Sequence, residues 1–189
     1  TVSNAKFVRF ANYIKAFSSS QRFGQAFGFT TLFTIISIIT VNIIAFTLAY
    51  LLTRKIKGTN FFRTVFFMPN LIGGIVLGYT WQSMINAILA KYGTTLVADA
   101  KYGFIGLIIL MNWQMIGYMM IIYIAGLQNV PTELIEASKI DGATKWQTLR
   151  HVTIPMVMPS ITICLFLTLS NSFKLYDQNL ALTAGAPMH

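Results

Sequence analysis

Side chains that can move protons, attack a carbonyl or hold a metal are scarce here. The sequence has two histidines, one cysteine and five carboxylates among 189 residues. His151 lies in a polar stretch and His189 at the end of the chain, so a catalytic triad or a histidine-rich metal site has little raw material. Cys164, the single cysteine, excludes an intrachain disulfide; within its apolar run it reads as a small buried hydrophobe. No GxxxxGK[ST] phosphate loop, His-Glu-x-x-His pair or nucleophile elbow occurs. What the reactive residues share is position: Glu133, Glu136, Asp141, Lys139, Lys145, Arg150 and His151 all fall within 133–155, between two apolar runs.

That polar stretch must be positioned by its own local structure. Pro131-Thr132 fits a helix start with Thr132 as N-cap, and Glu133 and Glu136 in the first turn suit the helix dipole. The helical pattern continues to Asp141-Gly142, where glycine accommodates a left-handed residue at a helix end. Thr144 and Gln147 have capping-box spacing, so a second helical piece is expected from Lys145 toward His151. Pro155 is expected in the first turn of the next apolar helix.

Composition places the flanks in a membrane. The chain is 55% hydrophobic and 10% charged, with a mean hydropathy of +0.63. No Asp, Glu, Lys or Arg occurs in 23–53, 64–90, 102–132 or 151–173. Each interval holds the roughly 20 residues needed to cross the hydrocarbon core. Four spans are expected, at about 29–52, 65–88, 104–127 and 154–173. The net charge of +9 suits lipid headgroups and topology, because no basic face is interleaved with exposed aromatics as a nucleic-acid surface would be. Arg54, Lys55, Lys57 and Arg63 cluster as cytoplasmic loops do. The total count is nevertheless a tie, seven basic residues on each side. The N-terminal stretch is not expected to be a secretory signal, since its first residues are polar and the first apolar run is too long.

The polar stretch then carries a resemblance. Glu136-Ala137-Ser138, three residues, Gly142, nine residues and Val152-Thr153-Ile154-Pro155 resemble the EAA loop of permeases in binding-protein-dependent ABC importers. That loop reads EAA, three residues, G, nine residues, I-x-L-P. FFRTVFFMP at 61–69, AGLQNVP at 125–131 and FKLYDQNLALTAGAP at 173–187 are similar to the carbohydrate branch, which includes maltose and glycerol-phosphate permeases. The likeness runs from about residue 12 to the C-terminus. It implies an all-α membrane protein with the type I importer permease core, about four transmembrane helices present of an expected six. The first and last spans are expected to be absent, the chain being a piece of a longer permease. Segment 1–28 would lie on the outer face, 29–173 would form the core with a cytoplasmic coupling loop at 128–153, and 174–189 would be an outer-face loop.

The resemblance also implies function and partners. The chain would be the permease subunit of a bacterial ATP-driven sugar importer in the cytoplasmic membrane, with no catalysis and no cofactor or metal of its own. Its partners would be a second homologous permease, two cytoplasmic ATPases carrying ATP and magnesium, and an extracytoplasmic sugar-binding protein. Leu134, Ile135, Ala137 and Ile140 would dock on an ATPase as apolar anchors with Glu136, Ser138 and Asp141 beside them; Gly142 would set the hinge and Pro155 would close the motif. Gly142→Asp is expected to abolish uptake while leaving insertion intact. By local motif, sugar contacts of the maltose relative fall at Asn70, Gly74, Gln114, Tyr118, Thr168 and Ser172. Asn70 and Gln114 replace a tyrosine and a leucine there. The alternative functions are a secondary transporter and an intramembrane enzyme of unknown substrate. Both usually need ionisable residues inside the spans, which the charge-free intervals lack.

Other residues stand outside the motif. Phe7, Phe10, Ile14 and Phe17, with Lys6, Arg9 and Lys15 alongside, fit either an interfacial helix or a plain connection. Asn42 is expected to join helices by a hydrogen bond rather than to hold substrate. Pro69, Gly73, Gly74 and Gly78 make the span at 65–88 easy to break, as at many transport sites. Trp81, Trp113 and Tyr176 suit either sugar stacking or interfacial anchoring.

Overall fold

A computed structural model describes residues 9–10, 14, 17–18, 23–54 and 57–185. Lys6, Phe7 and Lys15 of the N-terminal pattern, Lys55 in the basic cluster, and residues 186–189 lie outside the described residues. Among those described the chain is helical almost throughout, with no strand. Helix α1 is Phe23–Leu52 and α2 is Thr59–Phe67; a 3-10 turn, Met68–Leu71, leads to α3, Gly74–Leu89. Helix α4 is Ala100–Gln128 and α5 is Thr132–Ile140. Helix α6, Lys145–Thr148, passes through a π turn, Leu149–Thr153, into α7, Ile154–Phe173, and α8 is Tyr176–Thr183.

Three of these runs are long and apolar enough to cross a membrane: Phe23–Leu52, Ala100–Gln128 and Lys145–Phe173. They form one bundle. Phe29 meets Phe104 at 5.3 Å between ring centroids and Phe46 meets Tyr123 at 5.4 Å, so α1 and α4 run parallel. Cys164 lies against the Met119 carbonyl, and Gly126 against Ser160, so α7 runs antiparallel to α4. Close approach is possible because α1 buries Ser37, Val41, Ala45 and Ala49, small residues repeated every fourth position. Leu107, Leu110, Met119, Met120 and Val157 complete the core.

The expected span at 65–88 is not one helix. Thr59–Leu71 and Gly74–Tyr92 are bent by 100° at the break. Pro69 supplies no N–H to the ladder, Ile72 and Gly73 are extended (ψ 132° and 139°), and paired glycines favour helix weakly. Helix α2 packs antiparallel on α4, with the Phe66 carbonyl against Gly117, where any Cβ would overlap it. The break therefore falls beside Gln114, the central residue of the 29-residue α4. Irregular backbone at that depth survives only where protein or a water-filled path covers it.

The tail differs from expectation as well. Residues 174–189 were expected to be a loop, yet Tyr176–Thr183 is a helix lying across α3. Gly74 and Gly78 open one face of α3, Gln178 and Ala181 fill it, and Gln82 Nε2 donates to the Leu182 carbonyl at 3.0 Å. A four-residue glycine spacing lets the two backbones approach closely.

Candidate functional site

The polar stretch folds into a knuckle at one end of the bundle. Helix α5 begins one residue earlier than the expected cap position implies: Pro131 is the N-cap and Thr132 is already helical, with no side-chain cap. Proline serves there because its missing N–H costs nothing at a helix start. Glu133 occupies the first turn and Lys139 the last, both favourable to the dipole. At the far end the Ala143 N–H donates to the Ser138 carbonyl at 2.9 Å and the Gly142 N–H to that of Lys139 at 3.1 Å. With Gly142 at φ 78°, this is a Schellman ending that needs a residue free to turn left-handed.

The chain then restarts as expected. The Gln147 N–H donates to Thr144 Oγ1 at 3.3 Å while the Thr144 N–H donates to Gln147 Oε1 at 2.8 Å, a complete capping box. Pro155 stands in the first turn of α7, as expected, though α7 is not separated from the turn before it. It lies inside a helical run continuous from Lys145 to Phe173. The preceding turn is widened to a π turn, the Ile154 N–H reaching the Leu149 carbonyl, which makes room where proline would crowd a regular ladder.

Of the expected docking residues, Leu134, Glu136, Ala137, Ile140, Asp141, Gly142 and Pro155 are exposed. Ile140 is 86% exposed. Two others turn inward. Ile135 packs on the apolar core, and the Ser138 hydroxyl donates to the Ile135 carbonyl at 2.8 Å and pairs with Thr148 Oγ1 at 2.9 Å. Ser138 thus fastens α5 to α6 instead of facing out. Trp146, 65% exposed beside the same turn, was missed from sequence; a lone tryptophan in a polar stretch was its signal.

The expected path residues fall into two groups. At the break, the Asn70 amide approaches Met115 Sδ at 4.0 Å. Gln114 Nε2 donates to the Ile72 carbonyl at 3.4 Å, and Gln114 Oε1 accepts from Gln178 Nε2 at 3.1 Å. Gly74 lies directly beneath Gln178, whose amide would be 2.8 Å from an added Cβ. Gln178 was not singled out from sequence, since nothing local ties it to Gln114. Tyr118, one turn further along α4, is half-buried against the core.

The second group is buried. Thr168 is fully buried, its hydroxyl donating to the Cys164 carbonyl at 2.7 Å and accepting from Asn42 Nδ2 at 3.2 Å. Asn42 Oδ1 accepts from the Tyr123 hydroxyl at 2.7 Å. Asn42 therefore joins α1, α4 and α7, the interhelical role expected of it. Ser172 donates to the Thr168 carbonyl and lines a cavity of about 210 Å³ with Phe29, Phe33, Tyr176 and Asn179. Trp81 and Trp113 pack edge to face at 5.5 Å. No cluster of three or more potential metal ligands occurs among the described residues.

The sequence and the fold also match known proteins. The family model described as binding-protein-dependent transport system inner membrane component matches residues 57–188. A probable starch degradation products transport system permease protein, AmyD of Thermoanaerobacterium thermosulfurigenes, is 50% identical over 167 residues, 84% of this chain and 57% of that protein. The multiple sugar-binding transport system permease protein MsmF of Streptococcus mutans is 32% identical, over 97% of this chain and 66% of its own length. The chain thus spans about three-fifths of these relatives. A bacterial ABC transporter involved in import of the acidic polysaccharide alginate shares the fold, with a TM-score of 0.79 at 21% identity, covering 97% of this chain and 68% of that one. Agreement of the family match, the knuckle and the apolar bundle leads to one conclusion: the chain belongs to the binding-protein-dependent transport system inner membrane component family.

Proposed function

We propose that the chain forms the translocation path of an ATP-driven sugar importer as one of its two permease subunits. Two ATPase subunits, which carry the ATP and magnesium, engage the knuckle from the cytoplasm, and a sugar-binding protein delivers substrate on the other side. The observation that carries this reading is the knuckle itself. Its backbone is closed by a Schellman ending and a capping box, yet it presents Leu134, Ile140 and Trp146 to solvent at a polar end of the bundle. Apolar side chains held on a short exposed helix suit a groove on a partner.

The same geometry gives a mechanism. A push on α5 passes through the Ser138–Thr148 hydrogen bond to α6. Because Lys145–Phe173 is one continuous run, the motion then reaches Thr168 and Ser172 deep in the bundle. ATP-driven closure of the ATPase pair biases inward-facing against outward-facing arrangements in this way.

Ile140→Asp tests the reading without disturbing the fold, since the residue is almost fully exposed. In the purified full transporter, loss of a central apolar anchor costs about 2 kcal/mol of docking, roughly a 30-fold weaker ATPase association. Sugar-stimulated ATP hydrolysis falls with it, while membrane insertion is unchanged. Wild-type stimulation in the variant would refute the coupling role.

A further inference from the structure

We propose that Gln178 is a substrate-selecting residue of the translocation path, a sugar hydroxyl taking the place of its hydrogen bond to Gln114. The inference rests on the sugar-importer reading and adds to it a residue on α8. Three observations meet at one point. Gln114, at the middle of α4, holds the exposed backbone of the α2–α3 break through the Ile72 carbonyl. Gln178 reaches the same amide from α8 at 3.1 Å. Gly74 leaves the space that the Gln178 amide occupies, the nearest approach of an added Cβ being 2.8 Å.

The hydrogen-bond inventory explains why the pair is suited to exchange. A glutamine amide offers two donors and two acceptor lone pairs. Gln178 uses one N–H, toward Gln114, and its Oε1 takes no partner among the described residues. Gln178 Oε1 and one N–H of each amide thus have no protein partner among the described residues, at a half-buried position beside the exposed backbone of the break. A vicinal diol presents a donor and an acceptor at the spacing of a second amide, so a sugar can satisfy both glutamines at once. An apolar solute cannot: displacing water from the two amides, it would leave both unpaired, and that disfavours it. Helix α8 is clamped to α3 through Gln82 and Gly78, so exchange of this bond removes one tie between that pair and α4, the Trp81–Trp113 contact remaining.

The test uses the full-length permease assembled with its second permease, ATPases and binding protein in proteoliposomes. Uptake of labelled maltotriose, trehalose and arabinotriose is measured first; if the wild type takes up none, the importer reading itself fails. For a transported sugar, Gln178→Leu, which keeps the bulk over Gly74, raises the KM for uptake about 10-fold. Across the monodeoxy analogues of that sugar, one analogue loses the difference between wild type and variant, because it lacks the hydroxyl that Gln178 holds. A purely structural role would depress uptake equally for every analogue, and that result, or an unchanged KM, overturns the proposal. Gln178→Met, unbranched and of similar volume, replaces the leucine variant if assembly yield drops.

Discussion

Gly117→Ala is the sharpest test of how α2 is seated. An alanine Cβ there overlaps the Phe66 carbonyl and comes within 2.7 Å of the Phe67 nitrogen. These are backbone atoms, so no rotamer change relieves the contact. Restoring an ordinary separation of about 3.5 Å requires α2 to withdraw by roughly an ångström or more. Overpacking of this kind costs about 1–3 kcal/mol, here at the upper end. Withdrawal also strains the Ile72–Gln114 hydrogen bond, worth about 0.6 kcal/mol in a membrane bundle. A loss of about 3 kcal/mol corresponds to a fall in Tm of roughly 6–12 °C for a domain of this size. Cys164 is fully buried, so a fluorogenic thiol probe follows unfolding of this region directly. Gly73→Ala is the control: nothing lies within 4 Å of its Cβ and its φ of −59° suits alanine. Wild-type melting of Gly117→Ala, or an equal fall in Gly73→Ala, would show that α2 is not packed on α4 as described.

Two further outcomes follow from the same geometry. A double-mutant cycle of Asn42→Leu and Tyr123→Phe, read by the same thermal assay, gives a coupling of about 0.6 kcal/mol and at most about 1.7, whereas zero coupling means the 2.7 Å bond is not made. At the knuckle, where Gly142 has φ 78° and open space around it, Gly142→Asn keeps most uptake because asparagine tolerates left-handed backbone, Gly142→Val loses it, and Gly142→Asp loses it through charge; equal uptake by all three in a transport assay would remove the hinge from the mechanism.

The sequence by itself determined what short-range physics controls. Charge-free intervals dictated membrane helices, because in lipid a chain must satisfy its own backbone hydrogen bonds. Thr144 and Gln147 announced the capping box, and Gly142 the left-handed turn, since each acts within a few residues of itself. Even the error at Thr132 was a one-residue shift, with Pro131 taking the cap.

Tertiary structure decided which faces meet. In a soluble helix the buried side is the greasy side, but α1 and α4 are apolar all round, so sequence does not separate lipid-facing from neighbour-facing residues. That is why the inward turn of Ile135 and Ser138, the burial of Thr168 by Asn42, and the reach of Gln178 to Gln114 were not legible. The sharp break at Gly73 and the docking of α8 have the same origin. Pro69 and the glycines permitted a bend, and its 100° angle goes with the seating of α2 on α4 at Gly117 and of α8 on the face of α3 that Gly74 and Gly78 leave open.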